Sequence, residues 1–440
     1  YFDSPNTNEV KSLIKAREIW DQFIEGNYKT AEPGIIFWST MSDYSPSNYV
    51  GRPIICTNPC AEVPLEDGGA CNLGSINLSR FVKDGFTPEA SIDWDQLAES
   101  SETLVRFLDN VVTWNEDLNA LPKQRQAASE TRRLGLGVMG IADMLNQLGV
   151  AYDSEQGTMM IEKVMEYITN ASYQASSFIA KEKGASSIFD EEAYMECPFV
   201  KEALSEQTHN MIRKNGLRNI AIMSIAPTGS ISNIVLGYKS EEKNYIGVSG
   251  GVEPIFSTFY TRRSESFGNK MFKVFHSTIQ AYIDKMDIQE DVDKAEDVDE
   301  VLPEFLTRTA HKIDSVKRVG VQGVIQRYID HSISSTINLP EDVEPETISD
   351  IYIKAWKNKL KGVTIYRDGS RFPILSVENK MTEFQEMKNK SFSIMQENGE
   401  TIDMAGDDIF KRPDGKLTTM YHHLKTVSYT HLTLPTSDLV

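Results

Sequence analysis

The chain has 440 residues, is 40% hydrophobic and 25% charged, and carries a formal net charge of -19 with only four cysteines. It can bury a large core as one big α/β domain or two to three smaller ones, and it has no apolar run long enough to span a bilayer, so no membrane partner is expected. The acidic balance argues against a DNA-binding surface, which needs clustered Lys and Arg, and so few cysteines argue for reduced thiols in a cytoplasmic protein over a disulfide scaffold.

The chain opens on Tyr1, with no basic-then-apolar signal pattern over Tyr1–Val10, and reads as an internal fragment of something longer. Apolar spacing predicts an amphipathic helix over Asn8–Glu25 ending at Gly26, then a short strand over Gly34–Thr40. Helical periodicity covers Trp94–Thr113 and Met159–Lys181, the second stopped at Lys183–Gly184. Asn219–Ala226 has the composition of a buried strand and runs straight into Pro227-Thr-Gly-Ser230. Phe272–Asp287 and Pro303–Ile313 are predicted helices, flanking a solvated acidic run around Glu290–Glu300. Ser335–Leu339 is a predicted strand stopped by Pro340, Thr347–Leu360 a helix and Gly362–Tyr366 another strand. Strands alternating with long helices indicate an α/β architecture with parallel strand pairs. Beyond about Ser376 short polar stretches suggest a separate tail, 376–426, while Val427–Val440 (VSYTHLTLPTSDLV) continues no periodicity and reads as a non-native, adapter-derived end.

Three stretches carry chemistry. Gly135-Leu-Gly-Val-Met-Gly140 matches the dinucleotide fingerprint G-x-G-x-x-G, and acids stand downstream at Asp153 and Glu155, but Ser129-Glu-Thr-Arg-Arg133 before it is polar where the fingerprint needs a strand. Close strand–helix packing explains these glycines better than NAD binding. Ala226-Pro-Thr-Gly-Ser-Ile-Ser232 follows a predicted strand with small and hydroxyl residues whose backbone N–H groups can converge on a phosphate; an ordinary strand-to-helix turn reads it equally well.

The third stretch, Ile55–Leu78, holds Cys56, Cys60 and Cys71. Asn58, Cys60 and Glu62 are spaced by two, so an extended backbone projects carboxamide, thiol and carboxylate to one face. Glu66-Asp-Gly-Gly69 is a reversal that can bring Cys71 back towards that face. A zinc or iron–sulfur site lacks its third well-spaced ligand, and with His209 the first histidine there is no local Cys–His pair. Buried inert thiols explain Cys197 well but not Asn, Cys and Glu in register.

At these residues the chain resembles the catalytic subunit of ribonucleotide reductases, particularly the adenosylcobalamin-dependent class II enzymes. The resemblance rests on NPCAE (Asn58–Glu62), CNLGSINL (Cys71–Leu78), RRLGLGVMGIAD (Arg132–Asp143), APTGSIS (Ala226–Ser232), GVEPIF (Gly251–Phe256), SSTINLP (Ser334–Pro340) and KGVTIYRDGSR (Lys361–Arg371). It implies that 1–375 form the C-terminal part of a ten-stranded α/β barrel with a central finger loop near 56–64. Cys60 is then the thiyl radical that takes the ribose 3′ hydrogen, Glu62 the base on the 3′-hydroxyl and Asn58 the amide to the ribose hydroxyls. Cys71 is one half of a redox-active cysteine pair, and Thr228, Gly229, Ser230 and Ile231 hold the substrate phosphates. No protein-held metal is implied. The implied partners are a ribonucleotide, a thioredoxin-like reductant, allosteric nucleotides acting through a region upstream of this chain, and a second copy in a homodimer.

Class II is favoured because Val363-Thr-Ile-Tyr-Arg-Asp-Gly holds Tyr366 alone, where the di-metal class I enzymes carry two adjacent tyrosines. Ala61 and Val63 stand where the family more usually has glycine and glutamine. The other redox cysteine and the C-terminal cysteine pair are missing from the stretch, so the fragment alone is expected to be inactive. The alternatives are a class I large subunit needing a metalloprotein, or a nucleotide-binding module whose cysteines are structural. The sequence does not decide between ribonucleoside diphosphates and triphosphates.

Overall fold

The computed structural model describes residues 14–264, 270–371, 382–395 and 401–426, which form two compact units. One comprises the described residues of Tyr1–Gly34, Asn338–Ile353 and Ile365–Val440, the other Ile35–Ile337 with Lys354–Thr364. The second unit holds Asn58, Cys60, Glu62, Cys71 and Thr228–Ile231.

Its framework is a wall of backbone segments joined edge to edge. Strand Asn72–Asn77 pairs in parallel with Leu134–Met139, residue for residue from Asn72↔Leu134 to Asn77↔Met139. A parallel pair needs a crossover, supplied here by helices Trp94–Leu118 and Pro122–Thr131. The segment 221–225 lies next, bridging Leu136↔Met223 in parallel, with Ser224 N–H donating to the Leu136 carbonyl at 2.9 Å. It is followed by 331–335 through Ile225↔Ile333, then by 362–364 through Thr364 N–H to the Ser335 carbonyl at 3.1 Å. Ile35–Ile36 closes the row antiparallel to Gly362 and Val363. These six segments alternate with helices, giving the α/β architecture expected.

The expected strand Asn219–Ala226 is therefore extended and wholly buried up to Ala226, but it joins its neighbours through single bridges rather than a regular ladder. Gly135 and Gly137 do not form a loop before a helix: Leu134–Met139 is itself a strand, buried along its whole length, and only Gly140 stands outside it, as the N-cap of helix Ile141–Gln147. A Cβ on Gly137 would lie 2.3 Å from the Ser224 carbonyl oxygen, so the glycine is there to let two strands meet. That removes the phosphate loop the dinucleotide fingerprint requires.

Two long helices pack on the wall. Trp94–Leu118 is capped by Asp93, whose carboxylate accepts the Gln96 N–H at 3.2 Å, and runs five residues beyond the predicted end. Glu155–Lys183 is capped by Ser154 and stops, as its sequence predicts, at Gly184 with φ 90°. Ile161, Val164, Met165 and Ile168 recur on one buried face of it, each such side chain contributing about 1.5–3 kcal/mol of burial. Arg132 fastens the wall to the first helix through Asp109 at 2.9 Å and Glu116 at 2.7 Å.

Several predicted boundaries move. Phe272–Asp287 is not one helix: Lys270–Phe275 is a strand antiparallel to Phe259–Ser264, and only Ser277–Met286 is helical. Pairing with the strand that precedes it in the chain overrides a locally helical pattern. Pro303–Ile313 yields only the single turn Glu304–Thr307, and Gly34–Thr40 only the two-residue strand Ile35–Ile36 before helix Trp38–Asp43. The acidic run holds a short helix, Gln289–Lys294.

In the other unit, helix Ala16–Thr30 passes through Gly26 and ends at Ala31 in the left-handed region; the part of its predicted range before residue 14 lies outside the described residues. It packs on the residues of helix Pro345–Lys357 that belong to this unit, with Trp20 Nε1 donating to Ser349 Oγ at 3.0 Å and the Phe23 and Tyr352 rings 5.0 Å apart. The region expected to be a polar tail has helix Glu383–Met387, hairpins Ser391–Met395/Thr401–Ala405 and Ile409–Lys411/Leu417–Thr419, and helix Met420–Thr426. Val427–Val440 lies outside the described residues. No described helix is long and apolar enough to cross a membrane.

Candidate active site

Strands Ile54–Thr57 and Pro64–Glu66 form an antiparallel hairpin, with a register shift between Ile54 and Cys56. Residues 58–63 make its tip, and they are not extended. The Ala61 N–H donates to the Asn58 carbonyl at 3.0 Å, closing a tight turn through Pro59 and Cys60. Pro59 suits that turn because its ring fixes φ, and Ala61 is held in the left-handed region at φ 61°, where glycine is preferred. The glycine that the resemblance implies at that position is the residue the backbone favours.

The expected one-face register of Asn58, Cys60 and Glu62 is thus replaced by a turn that separates them by depth. Cys60 is exposed at the tip, Asn58 is half-buried and Glu62 is only 1% exposed. Asn58 Oδ1 accepts the Val63 N–H at 3.0 Å, which leaves the Nδ2 amide without a partner among the described residues. The Glu62 carbonyl is anchored to two wall segments, accepting from Ser332 N–H at 2.9 Å and Ser224 Oγ at 3.0 Å. Its carboxylate is different: Oε2 is buried with no hydrogen-bond partner among the described residues. Partial burial and the Glu62 charge both push the Cys60 thiol up, so it is held protonated.

The reversal at Glu66 forms as predicted, with Gly69 N–H on the Glu66 carbonyl at 2.8 Å and Gly68 at φ 78°. It leads to Cys71, just before strand Asn72–Asn77. Burial pushes the Cys71 thiol up to about 12, opposed by Arg133 and reinforced by Asp330, Glu62 and Glu66. The Glu62 charge therefore acts on both thiols. All four cysteines are free: Cys56 and Cys60 exposed, Cys71 intermediate and Cys197 buried, the last with its thiol at about 11 through burial. Among the described residues no three His, Cys, Asp or Glu side chains are grouped to hold a metal ion.

Thr228–Ile231 follow wall segment 221–225 as an open lip. Thr228 is buried at φ 52°, and its Oγ1 accepts Gly251 N–H at 2.8 Å, which leaves its hydroxyl proton free to donate. Gly229, Ser230 and Ile231 are exposed, and a Cβ on Gly229 would meet nothing within 4 Å. Asp143 accepts Ser249 N–H at 2.6 Å and the Thr278 hydroxyl and lies 2.7 Å from His276 Nε2, contacts that hold its carboxyl below the usual range against the effect of burial.

A buried charged network behind the hairpin was not read from the sequence. Arg133 reaches Glu66 at 2.5 Å, Ser47 at 3.0 Å and His331 at 3.0 Å. Asp330 accepts from Tyr173, from the Ile222 and Met223 N–H groups at 2.6 and 2.8 Å, and from His331 N–H at 2.7 Å. Lys361 donates to the Asp330 and Ile329 carbonyls at 2.6 and 3.2 Å, and burial lowers it to about 8. These residues come from segments up to about three hundred positions apart, and nothing in their spacing marks them.

The family model for the ribonucleotide reductase barrel domain matches residues 2–366. A vitamin B12-dependent ribonucleoside-diphosphate reductase of Thermoplasma acidophilum is 36% identical over 379 residues, 84% of this chain and 44% of that protein. One of Mycobacterium tuberculosis is 32% identical over 386 residues, 84% of this chain and 49% of that protein. A ribonucleoside-diphosphate reductase subunit alpha of Chlamydia pneumoniae is 27% identical over 425 residues, 86% of this chain and 38% of that protein. Among solved structures, the class Id ribonucleotide reductase alpha subunit of Actinobacillus ureae matches with a TM-score of 0.59 at 21% identity, over 80% of this chain and 61% of that one, a likeness of fold. The chain spans about half the length, or less, of the curated relatives it matches.

Proposed function

This chain belongs to the ribonucleotide reductase barrel-domain family, and from that membership we propose that it carries the radical site of an adenosylcobalamin-dependent enzyme reducing ribonucleoside diphosphates. The observation that carries this reading is the tip of the hairpin, where an exposed thiol stands two residues from a buried carboxylate whose Oε2 has no partner among the described residues. A buried, unpaired carboxylate oxygen is costly, and a substrate hydroxyl that donates to it removes the cost.

On this reading Cys60, as a thiyl radical, takes the 3′ hydrogen of the ribose. Glu62 accepts the 3′-hydroxyl proton as general base, and the free Asn58 Nδ2 donates to a ribose hydroxyl. The 2′-hydroxyl leaves as water, with two electrons and two protons coming from Cys71 and a partner thiol that end as a disulfide. The lip Thr228, Gly229, Ser230 and Ile231 supplies N–H and hydroxyl donors to the phosphates. A dithiol reductant of the thioredoxin kind then restores the thiols. Effector nucleotides, a homodimer and a cytoplasmic setting belong to the same reading.

Two features of this chain fit the cofactor. The Cys60 turn is exposed, so its sulfur can be approached, and strand Gly362–Arg367 has buried Ile365 beside Tyr366 in place of a second tyrosine. Adenosylcobalamin, when bound, supplies the organic radical that removes the thiol hydrogen of Cys60; no described residue is assigned to holding it. The Chlamydia pneumoniae match, named a subunit alpha, supports the alternative of a subunit that works with a partner.

The test is deoxyribonucleotide formation from CDP and CTP by the full-length protein with a dithiol, with and without adenosylcobalamin. Cofactor-dependent product from CDP that is lost in Cys60→Ser is expected. Product that appears only with a metalloprotein partner moves the chain to the alternative. No product under either condition sinks the catalytic reading.

A further inference from the structure

The strand pair that carries Cys71 also carries a buried cation. Cys71 and Arg133 immediately precede Asn72 and Leu134, the first paired residues of the two parallel strands, so their side chains start from adjacent points. Both line one cavity of about 300 Å³, with Ala70, Asn72, Val111 and Asn115 among its walls. A Cβ on Gly135 would lie 2.9 Å from Cys71 Sγ, so the sulfur rests on bare backbone two residues from the arginine. Arg133 is fully buried, and its Nε is a buried donor with no partner among the described residues. A guanidinium has five N–H donors, and with a carboxylate, a hydroxyl and an imidazole bound the Nε–H is still there to give.

We infer that Arg133 is a positioning residue for the chemistry of Cys71, its guanidinium placed to hold the negative charge that Sγ carries when a disulfide at that sulfur is opened. In that step a thiolate of a dithiol reductant bonds to the other sulfur, the S–S electron pair goes to Cys71 Sγ, and the new thiolate then takes a proton. The reductant's second thiol closes its own disulfide and releases the other cysteine. The charged groups acting on Cys71 are Arg133, which favours its thiolate, and Asp330, Glu62 and Glu66, which oppose it. The competing description is that Arg133 and Glu66 form a structural bridge and nothing more. The role in turnover rests on the redox assignment of Cys71; the electrostatics do not.

The two descriptions separate because Glu66→Gln and Arg133→Gln weaken the same ion pair yet change the charge at Cys71 in opposite directions. The measurement is iodoacetamide alkylation of this chain between pH 7 and 9, with each cysteine peptide quantified by mass spectrometry. A one-unit change in thiol pKa, offset by the accompanying change in nucleophilicity, alters the rate about threefold. Glu66→Gln should speed Cys71 by about that factor and Arg133→Gln should slow it. Exposed Cys56 should keep its rate, and buried Cys197 should stay protected, which reports an intact fold. Rates at Cys71 that move the same way in both variants, or not at all, overturn the inference. Should Arg133→Gln expose Cys197, the acceleration in Glu66→Gln decides alone. Turnover of the full-length protein that survives Cys71→Ser would instead remove the redox assignment and leave the charge effect standing.

Discussion

His331 offers a prediction that can be worked through from its surroundings. Its ring is 1% exposed, and Arg133 Nη1 lies 3.0 Å from its Nε2. An arginine nitrogen can only donate, so Nε2 must accept and the imidazole is neutral with its proton on Nδ1, an atom with no partner among the described residues. Burial, then the charges of Arg133 and Lys361, hold its pKa well below the ordinary 6.5. A proton taken by the unfolded chain below that pH is therefore refused by the folded one, so stability falls as the solution is acidified. One proton refused over the one pH unit between 6.5 and 5.5 corresponds to a loss of up to about 1.4 kcal/mol. Gln at this position keeps an oxygen acceptor for Arg133 and cannot titrate. Urea unfolding of the wild type and His331→Gln, followed by intrinsic fluorescence at both pH values, should show the variant gaining up to about 1.4 kcal/mol on the wild type at the lower pH. Equal losses in the two proteins would show that His331 takes up its proton while folded, and would refute the reasoning.

Ala61→Gly should stabilise the hairpin by about 0.5–1 kcal/mol in a denaturant titration, because the left-handed region costs an L side chain about 1–2 kcal/mol and glycine returns part of that in unfolded-state entropy. Turnover should be kept, and destabilisation would mean that the tip is not held at φ 61° in solution. Gly137→Ala places a methyl 2.3 Å from the Ser224 carbonyl oxygen and should cost about 1–3 kcal/mol. Because Ser224 Oγ also holds the Glu62 carbonyl, turnover should drop with it; a neutral melting point would show that the strands can part freely. Glu62→Gln keeps the shape of the buried side chain and removes the base, so kcat should fall about 10²–10⁴-fold, and an unchanged kcat would take Glu62 out of the chemistry.

The sequence by itself determined the elements whose signals are local, and the family through the order of its motifs. Met159–Lys181 is a helix stopped at Gly184 because its apolar period and its glycine act within the segment. Gly362–Tyr366 and Ser335–Leu339 are strands, each with interior positions buried as their composition predicts. The turn at Glu66–Gly69 follows from the same local chemistry. Cys60, Glu62, Asn58 and Cys71 could be picked out because few residue types carry thiol and carboxylate chemistry, but their arrangement could not. Spacing by two implied one extended face; a hydrogen bond from Ala61 to Asn58 and the anchoring of Glu62 to Ser224 and Ser332 made it a turn with an exposed thiol above a buried carboxylate. Gly135 and Gly137 match a loop motif but read better as close packing, and only the neighbouring segments show that they make room for a sulfur and a carbonyl. The network of Arg133, Asp330, His331 and Lys361 has no local pattern, since each becomes significant only when a segment remote in sequence supplies its partner. Long-range pairing decides such positions, and a local window contains neither the partner nor the burial that gives the charge its meaning.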